Sequence, residues 1–332
     1  MALYPLKFKA QLLPKIWGGK TIMQWYDNVP ADCDNVGEAW VLSDFGDYRT
    51  EVANGSHAGD DLRDLLEVYM DELVGDKVYE AFGNQFPLLF KFIDAADDLS
   101  IQVHPSDAYA IDHEESRGKT EMWYVMPSQD DASIYLGWNK QVNEEIILKG
   151  IADGTIAGDM RDYKVRAGDV AFIPAGTVHA LCRNTIVAEI QENSDLTYRL
   201  YDYNRPGVDG KLRPLHIDKA LLTVDYKTAD DAVLTHPQTN DKGIVNAVRC
   251  PYFTTNILDI DQPIQRDYAP LDSFVVYMCV EGGCAVKALD TDSEDHTVTM
   301  KTGEAVLIPA SLNDIVIAPS GHCRLLEVYI EV

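Results

Sequence analysis

The sequence predicts a mainly β protein built as two stacked barrels with a few short helices. Three observations carry that prediction. Short runs rich in Val, Ile, Tyr and Phe alternate with Gly, Pro, Asp and Asn turns through most of the 332 residues, the pattern of many short strands. The stretch Leu99-Ser-Ile-Gln-Val-His-Pro-Ser106 alternates Ile101 and Val103 with Gln102 and His104. A strand there shows apolar side chains on one face and an amide beside an imidazole on the other. Finally, Ala167-Gly-Asp-Val-Ala-Phe-Ile-Pro-Ala-Gly-Thr-Val-His179 returns as Thr302-Gly-Glu-Ala-Val-Leu-Ile-Pro-Ala-Ser-Leu-Asn-Asp314. Each copy reads as a glycine turn, a buried strand and a proline-stopped second turn.

The elements follow in chain order. Asp60 to Leu73 spaces its apolar residues helically behind Asp60 or Asp61 as cap, and opens a small helical segment at about 60–84. Val142 to Gly150 and Leu215 to Leu222 predict two further short helices. Residues 1–205 hold the Gln102/His104 strand and the first copy of the repeat, and are expected to form the catalytic barrel with flanking strands. Residues 206–247 are polar and irregular and are expected to connect. Residues 248–332 hold the second copy, in which Asp314 replaces His179 and no His-rich strand precedes. That barrel is expected to be degenerate and non-catalytic. The repeated motif has the shape found in cupins, small jelly-roll barrels, so the expected architecture is a bicupin.

Composition narrows the function. The formal net charge of −26 argues against non-specific nucleic-acid binding, which needs a basic surface, and against attraction to an anionic membrane. No run approaches the roughly 20 apolar residues of a membrane span, and the N-terminus lacks the apolar core of a signal peptide. Cys33, Cys182, Cys250, Cys279, Cys284 and Cys323 are scattered without a CxxC pair. They read as buried reduced thiols, and a cytoplasmic setting is expected. There is no glycine-rich phosphate loop and no Ser-His-Asp elbow.

Gln102, His104, Glu121 and His179 supply a mixed N/O donor set that can hold a divalent metal and keep positions open. An amide oxygen suits a Lewis-acid role with zinc or manganese better than redox iron. Lys119, two residues before Glu121, faces the same side in an extended chain and could bind an oxyanion; a surface lysine is the plainer reading. In Thr185-Ile-Val-Ala-Glu-Ile-Gln191, Glu189 and Gln191 share a face with Val187. If that face is the barrel interior, Glu189 is a buried carboxylate available for proton transfer; otherwise it is a solvated edge residue. Arg199 could reach the barrel mouth or pack on Tyr198 and Tyr201. His57, His113, His216, His236, His296 and His322 have no such company, although His216 opens a helix close in sequence to Arg199.

Gln102-Val-His-Pro105, Lys119-Thr-Glu-Met122, Pro174-Ala-Gly-Thr-Val-His179 and Asn193-Ser-Asp-Leu-Thr-Tyr-Arg199 together resemble the type I mannose-6-phosphate isomerases. Trp17-Gly-Gly, Val36-Gly-Glu-Ala-Trp40 and the Tyr198 to Tyr203 run extend the resemblance over most of the chain. The compact length is similar to the bacterial branch, with no counterpart of the large helical insertion of longer members. The resemblance implies a zinc enzyme that interconverts mannose 6-phosphate and fructose 6-phosphate, with a small sugar phosphate as its partner. It implies Gln102, His104, Glu121 and His179 as zinc ligands, Arg199 as the catalytic arginine and Lys119 as the active-site lysine. It implies Ser100 as a residue near substrate and Glu189 as a carboxylate in proton transfer. A metal-bound water, Glu189 and Lys119 all stay open as the base. Two other readings compete, an iron-dependent cupin oxygenase and a non-enzymatic sugar-binding bicupin. Gln102 speaks against the first, and the presence of Lys119, Glu189 and Arg199 against the second.

Overall fold

The computed structural model of the chain describes residues 2–207, 209–228 and 232–331. Its first unit is a sandwich of two antiparallel sheets. One has five strands, in the order Tyr198–Tyr201, Ile101–Val103, His179–Leu181, Ser133–Trp138 and Met160–Lys164. The other has seven, running from Val233–Thr235 through Val170–Ile173, Glu121–Val125, Thr185–Glu192, Leu88–Ala95 and Glu38–Leu42 to Gln11–Leu13. Alternation along Thr185–Glu192 gives each face its own work. Val187 joins Trp123, Val125, Ile173 and Leu181 inside the sandwich. Ile186, Ala188 and Ile190 point the other way, into a core shared with the second unit.

That second unit is an eight-stranded sheet folded on itself. Its long strands Val275–Ala288 and Asp314–Tyr329 pair over most of their length, with bulges between Cys279 and Glu281 and between Gly282 and Cys284. Bulges let a strand bend and serve two layers. The predicted mainly β, two-barrel architecture is what the structure has. The internal repeat is also visible in the backbone. Gly168 and Gly303, which open the two copies, both adopt φ +91°, a conformation that favours glycine. Val170–Ile173 and Ala305–Ile308 follow as the matching buried strands. The copies part at the ligand position. His179 points inward, whereas Asp314 accepts from Gln265 Nε2 on the sheet surface and Ile315 and Ile317 fill the second interior.

The three expected helical stretches form. Leu62–Tyr69 is capped by Asp61, whose carboxylate accepts from the Asp64 amide, and it is followed by Asp71–Val74 and Asp76–Phe82. Glu144–Asp153 is capped by Asn143, and Ile217–Thr223 starts after His216. A further helix, Asp107–Glu114, was not anticipated; Ser106 caps it by accepting from the Tyr109 amide. Two segments lie elsewhere than the linear reading places them. Leu6–Lys7, at the start of the first unit's sequence, adds to Ala305–Ile308 in the second sheet. Residues 206–247 carry the helix Ile217–Thr223, the strand Val233–Thr235 paired with Val170–Ile173, and the start of Ile244–Arg249. All six cysteines are free thiols; four are buried, whereas Cys33 and Cys250 are only partly so. No helix among the described residues is long and apolar enough to cross a membrane.

The repeat glycines make a paired test. Alanine at either position meets a left-handed cost of about 1–2 kcal/mol. At Gly303 a Cβ would also lie 2.7 Å from Trp25 Cε3, whereas at Gly168 the nearest atom is His236 Cε1 at 3.3 Å. Gly303→Ala should therefore lower the thermal unfolding midpoint by several degrees, and by more than Gly168→Ala. Equal losses would mean that Trp25 moves aside at no cost.

Candidate active site and metal centre

The two sheets of the first unit each contribute half of a polar cluster. From the five-stranded sheet come Gln102 and His179, directly opposite each other across the ladder, and His104, at the exit of the same strand as Gln102. Arg199 faces Gln102 from the other side. From the seven-stranded sheet come Glu121, opposite Gln191, and Glu189, opposite both Trp123 and Lys91. Pro105 ends the strand after His104. Its carbonyl accepts from the Lys119 amide at 3.0 Å, and the His104 carbonyl accepts from the Gly176 amide at 2.8 Å. Residues distant in sequence are thereby tied to one point.

His104, Glu121 and His179 are buried, and each offers a ligand atom within 4.8 Å of the other two. His179 Nε2 lies 3.2 Å from Glu121 Oε1 and His104 Nε2 lies 3.6 Å from Glu121 Oε2. Their far nitrogens are anchored: His104 Nδ1 donates to the Leu196 carbonyl at 2.7 Å and His179 Nδ1 to the Thr177 carbonyl at 2.9 Å. An imidazole that gives its Nδ1 proton to a carbonyl turns a bare Nε2 lone pair the other way. His104 Nε2 and both Glu121 oxygens are buried without a hydrogen bond. Buried acceptors converging on one point, with only the Lys119 charge beside Glu121 Oε2, fit a divalent cation. Gln102 reaches the same point with its amide 3.3 Å from His179 Nε2. Its oxygen is placed toward Ser100 Oγ at 3.4 Å, and a half-turn of the amide exchanges the two atoms, so the oxygen can face the centre.

Charge in the cluster is balanced locally. Burial opposes ionisation of Glu121, but Lys119, whose Nζ is 2.9 Å from Oε2, together with His104 and His179, holds the carboxyl well below the usual range. Burial pulls Lys119 down, but Glu121 and Glu189 outweigh it and keep the ammonium charged. Burial first, and then Lys119, lowers His104 well below an ordinary histidine, which keeps its lone pair available. Lys119 is therefore a buried partner of Glu121, not a surface residue.

Beside the cluster is a cavity of about 260 Å³ lined by Ser100, Gln102, Lys119, Glu189 and Arg199, together with Lys15, Trp17, Glu38, Lys91, Trp123 and Arg213. All the predicted site residues border the cavity or the ligand cluster at its edge. Glu189 is buried on the interior face; its Oε2 accepts from Trp123 Nε1 at 2.7 Å, and Lys91 Nζ stands 3.2 Å from Oε1. Arg199 does not pack between the tyrosines. It gives Nη1 to the Pro214 carbonyl at 2.8 Å, and its buried Nε has no partner. His216 supports it from behind, with Nδ1 accepting from the Arg199 amide at 3.1 Å. Sequence reasoning missed Lys91 and Glu38. Lys91 interrupts the apolar run Leu88-Leu-Phe-Lys-Phe-Ile, a signal that a buried charge has a partner. Burial raises Glu38, but Lys15 and Lys91 outweigh it and lower the carboxyl to about 2.

Residues 5–132 match the family described as phosphomannose isomerase type I, catalytic domain, and residues 243–330 match mannose-6-phosphate isomerase, cupin domain. The mannose-6-phosphate isomerase ManA of Bacillus subtilis is 32% identical over 326 residues, covering 97% of this chain and 98% of its own. A mannose-6-phosphate isomerase of Streptococcus mutans is 37% identical over 222 residues, 65% of this chain and 66% of its own. The crystal structure of the mannose 6-phosphate isomerase from Bacillus subtilis superposes with a TM-score of 0.84 at 31% identity, covering 99% of this chain and all of that one.

Two outcomes follow from the geometry. His104→Ala removes one of the converging lone pairs, so purified protein should lose its stoichiometric divalent metal by elemental analysis; full retention would break the ligand assignment. Glu38, ordinarily near 4.5 and held at about 2, stabilises the fold above pH 4.5, and that contribution is lost as pH falls toward 2. Glu38→Gln should shrink the loss of stability between pH 5 and 3 by on the order of 2 kcal/mol, read by denaturant unfolding at each pH.

Proposed function

The chain belongs to the type I mannose-6-phosphate isomerase family, and from that membership we propose that it interconverts mannose 6-phosphate and fructose 6-phosphate. The reaction would take place in the cavity, at whose edge Gln102, His104, Glu121 and His179 would hold a divalent ion, zinc by preference. The observation that carries the reading is the convergence of two anchored imidazole lone pairs and an ionised carboxylate at the cavity edge. A bound divalent ion would supply the Lewis acidity that polarises a sugar carbonyl and favours the enediolate.

The chain's own residues do the rest. Aldose–ketose isomerisation moves a proton between C1 and C2 of the open-chain sugar. Glu189 is the group we assign to carry it. Its Oε2 is fixed by Trp123, and its Oε1 makes no hydrogen bond, so that oxygen can take a proton from one carbon and return it to the next. Lys119 is a poor base because Glu121 and Glu189 keep it protonated. Its ammonium instead offsets negative charge on the substrate. Arg199 brings a guanidinium whose Nε–H is unpaired, suited to a developing oxyanion. Ser100 Oγ, at the cavity wall, can donate to a substrate oxygen.

A coupled assay with mannose 6-phosphate should show turnover that disappears on chelation and returns with zinc. Absence of turnover in metal-loaded protein would overturn the assignment. Glu189→Gln should keep its metal and lower kcat by about 10²–10⁴-fold, while Arg199→Ala should keep its metal and lose most of kcat. An unchanged rate in either variant would return that residue to a packing role.

A further inference from the structure

Strand alternation puts Lys119 and Glu121 on the cavity side and leaves Thr120 pointing away. The residues behind Thr120 form a closed set. The Thr120 amide donates to Glu192 Oε1 at 2.7 Å, and the Glu192 amide donates back to the Thr120 carbonyl at 3.1 Å. Asp107, in the first turn of the helix after the His104 strand, accepts the Gly118 amide at 2.8 Å. Gly118 approaches that helix so closely that a Cβ would lie 2.4 Å from the Asp107 nitrogen. The Ala175 amide, in the turn that leads to His179, is 3.4 Å from Thr120 Oγ1. Tyr252, from the turn between Ile244–Arg249 and Thr254–Ile260 of the second unit, stands beside Thr120 and faces Glu192.

We propose that Glu192 is a positioning residue that acts as a neutral acid, clamping Thr120 to Asp107 and, with Tyr252, making the second barrel the support of the Lys119–Glu121 segment. This rests on the isomerase reading only for its effect on turnover. Glu192 is 3% exposed. A carboxyl that accepts from the Thr120 amide and donates to Asp107 satisfies both neighbours; a carboxylate there would face Asp107 with no proton between them. Asp107, Tyr252 and Cys250 are the titratable groups that face it, and none brings a positive charge. Burial and then Asp107 raise Glu192 to about 8. The clamp is therefore closed at neutral pH and opens as pH rises through that value.

The test compares the metal-loaded wild type with Glu192→Gln, whose amide keeps one acceptor and one donor but cannot ionise, and with Tyr252→Phe. In wild type kcat should fall above about pH 8, with KM changing less than kcat. Glu192→Gln should match wild type within about twofold at pH 7 and carry its alkaline limb at least one pH unit higher. Tyr252→Phe should lower kcat several-fold with metal content unchanged. Hydrogen exchange of peptides spanning 117–121 gives a readout that needs no turnover. At pH 9 wild type should exchange faster there than Glu192→Gln, and at pH 7 the two should agree. Identical exchange at pH 9, an alkaline limb unmoved in Glu192→Gln, or wild-type kcat in Tyr252→Phe would each overturn the clamp. The exchange comparison decides it even where the isomerase reading fails.

Discussion

Two backbone carbonyls set the chemistry of this protein. Leu196 and Thr177 take the Nδ1 protons of His104 and His179, which commits both Nε2 lone pairs to one buried point. Everything around that point answers to the commitment. Two imidazole nitrogens and a carboxylate cannot be left facing one another in a dry interior without a cation between them or beside them. Lys119 is the cation that the chain itself provides, and Glu121 is ionised because of it. The position of Lys119 is in turn fixed through its own amide, on the Pro105 carbonyl. Pro105 thus does more than end a strand: it ties the lysine to the histidine before it.

The same logic resolves an apparent conflict between a chain of net charge −26 and an anionic substrate. The surface charge is irrelevant inside a cavity where the local balance decides. Lys15 is matched by Glu38 at 3.2 Å, Lys91 by Glu189 at 3.2 Å and Lys119 by Glu121 at 2.9 Å, while Arg213 shares Asp202 with Arg205. Arg199 differs. It is held by a backbone carbonyl, its Nε is unpaired, and burial followed by Arg213 lowers its pKa. A guanidinium kept charged in that setting gains most from an anion entering the cavity, so its desolvation is recovered on binding rather than on folding.

How much of this was legible in the sequence depended on whether the signal was local. Period-two alternation put Gln102 with His104, and Glu189 with Val187, on the correct faces because a strand's faces are set by neighbours one and two residues away. The cap of the first helix, narrowed to Asp60 or Asp61, was readable for the same reason, and Asp61 takes it. The helix Asp107–Glu114 was not, because its apolar residues do not segregate: Ala110 is buried while Ile111 is 59% exposed, so only the Ser106 cap marked it. The exchange of Leu6–Lys7 into the second sheet and of Val233–Thr235 into the first left no trace, because a two- or three-residue edge strand is chosen by the sheet it meets. Lys91 and Glu38 failed for another reason. Each makes sense only once its partner is placed, and their partners are distant in sequence.

The second barrel shows how two buried carboxylates in equivalent positions come to differ. Glu189 pairs with Trp123, which pairs with Ala171; Glu327 pairs with Tyr277, which pairs with Val306. Ala171 and Val306 hold the same place in the two copies of the repeat, so the two glutamates are register equivalents, each buried inside its own barrel. Lys91 lies opposite Glu189 where Asn256 lies opposite Glu327. Their surroundings differ. Glu327 accepts from Arg266 through both oxygens, from Tyr268 and from Asn256, which leaves it no free oxygen. Glu189 accepts from Trp123 at one oxygen, and its other has only the nearby Lys91 charge. Complete satisfaction makes a buried carboxylate a rigid part of the core, whereas Glu189 keeps an oxygen without a hydrogen bond at the cavity wall, beside the Lys91 charge. The two barrels therefore place the same residue in the same backbone position and differ in how completely its oxygens are satisfied.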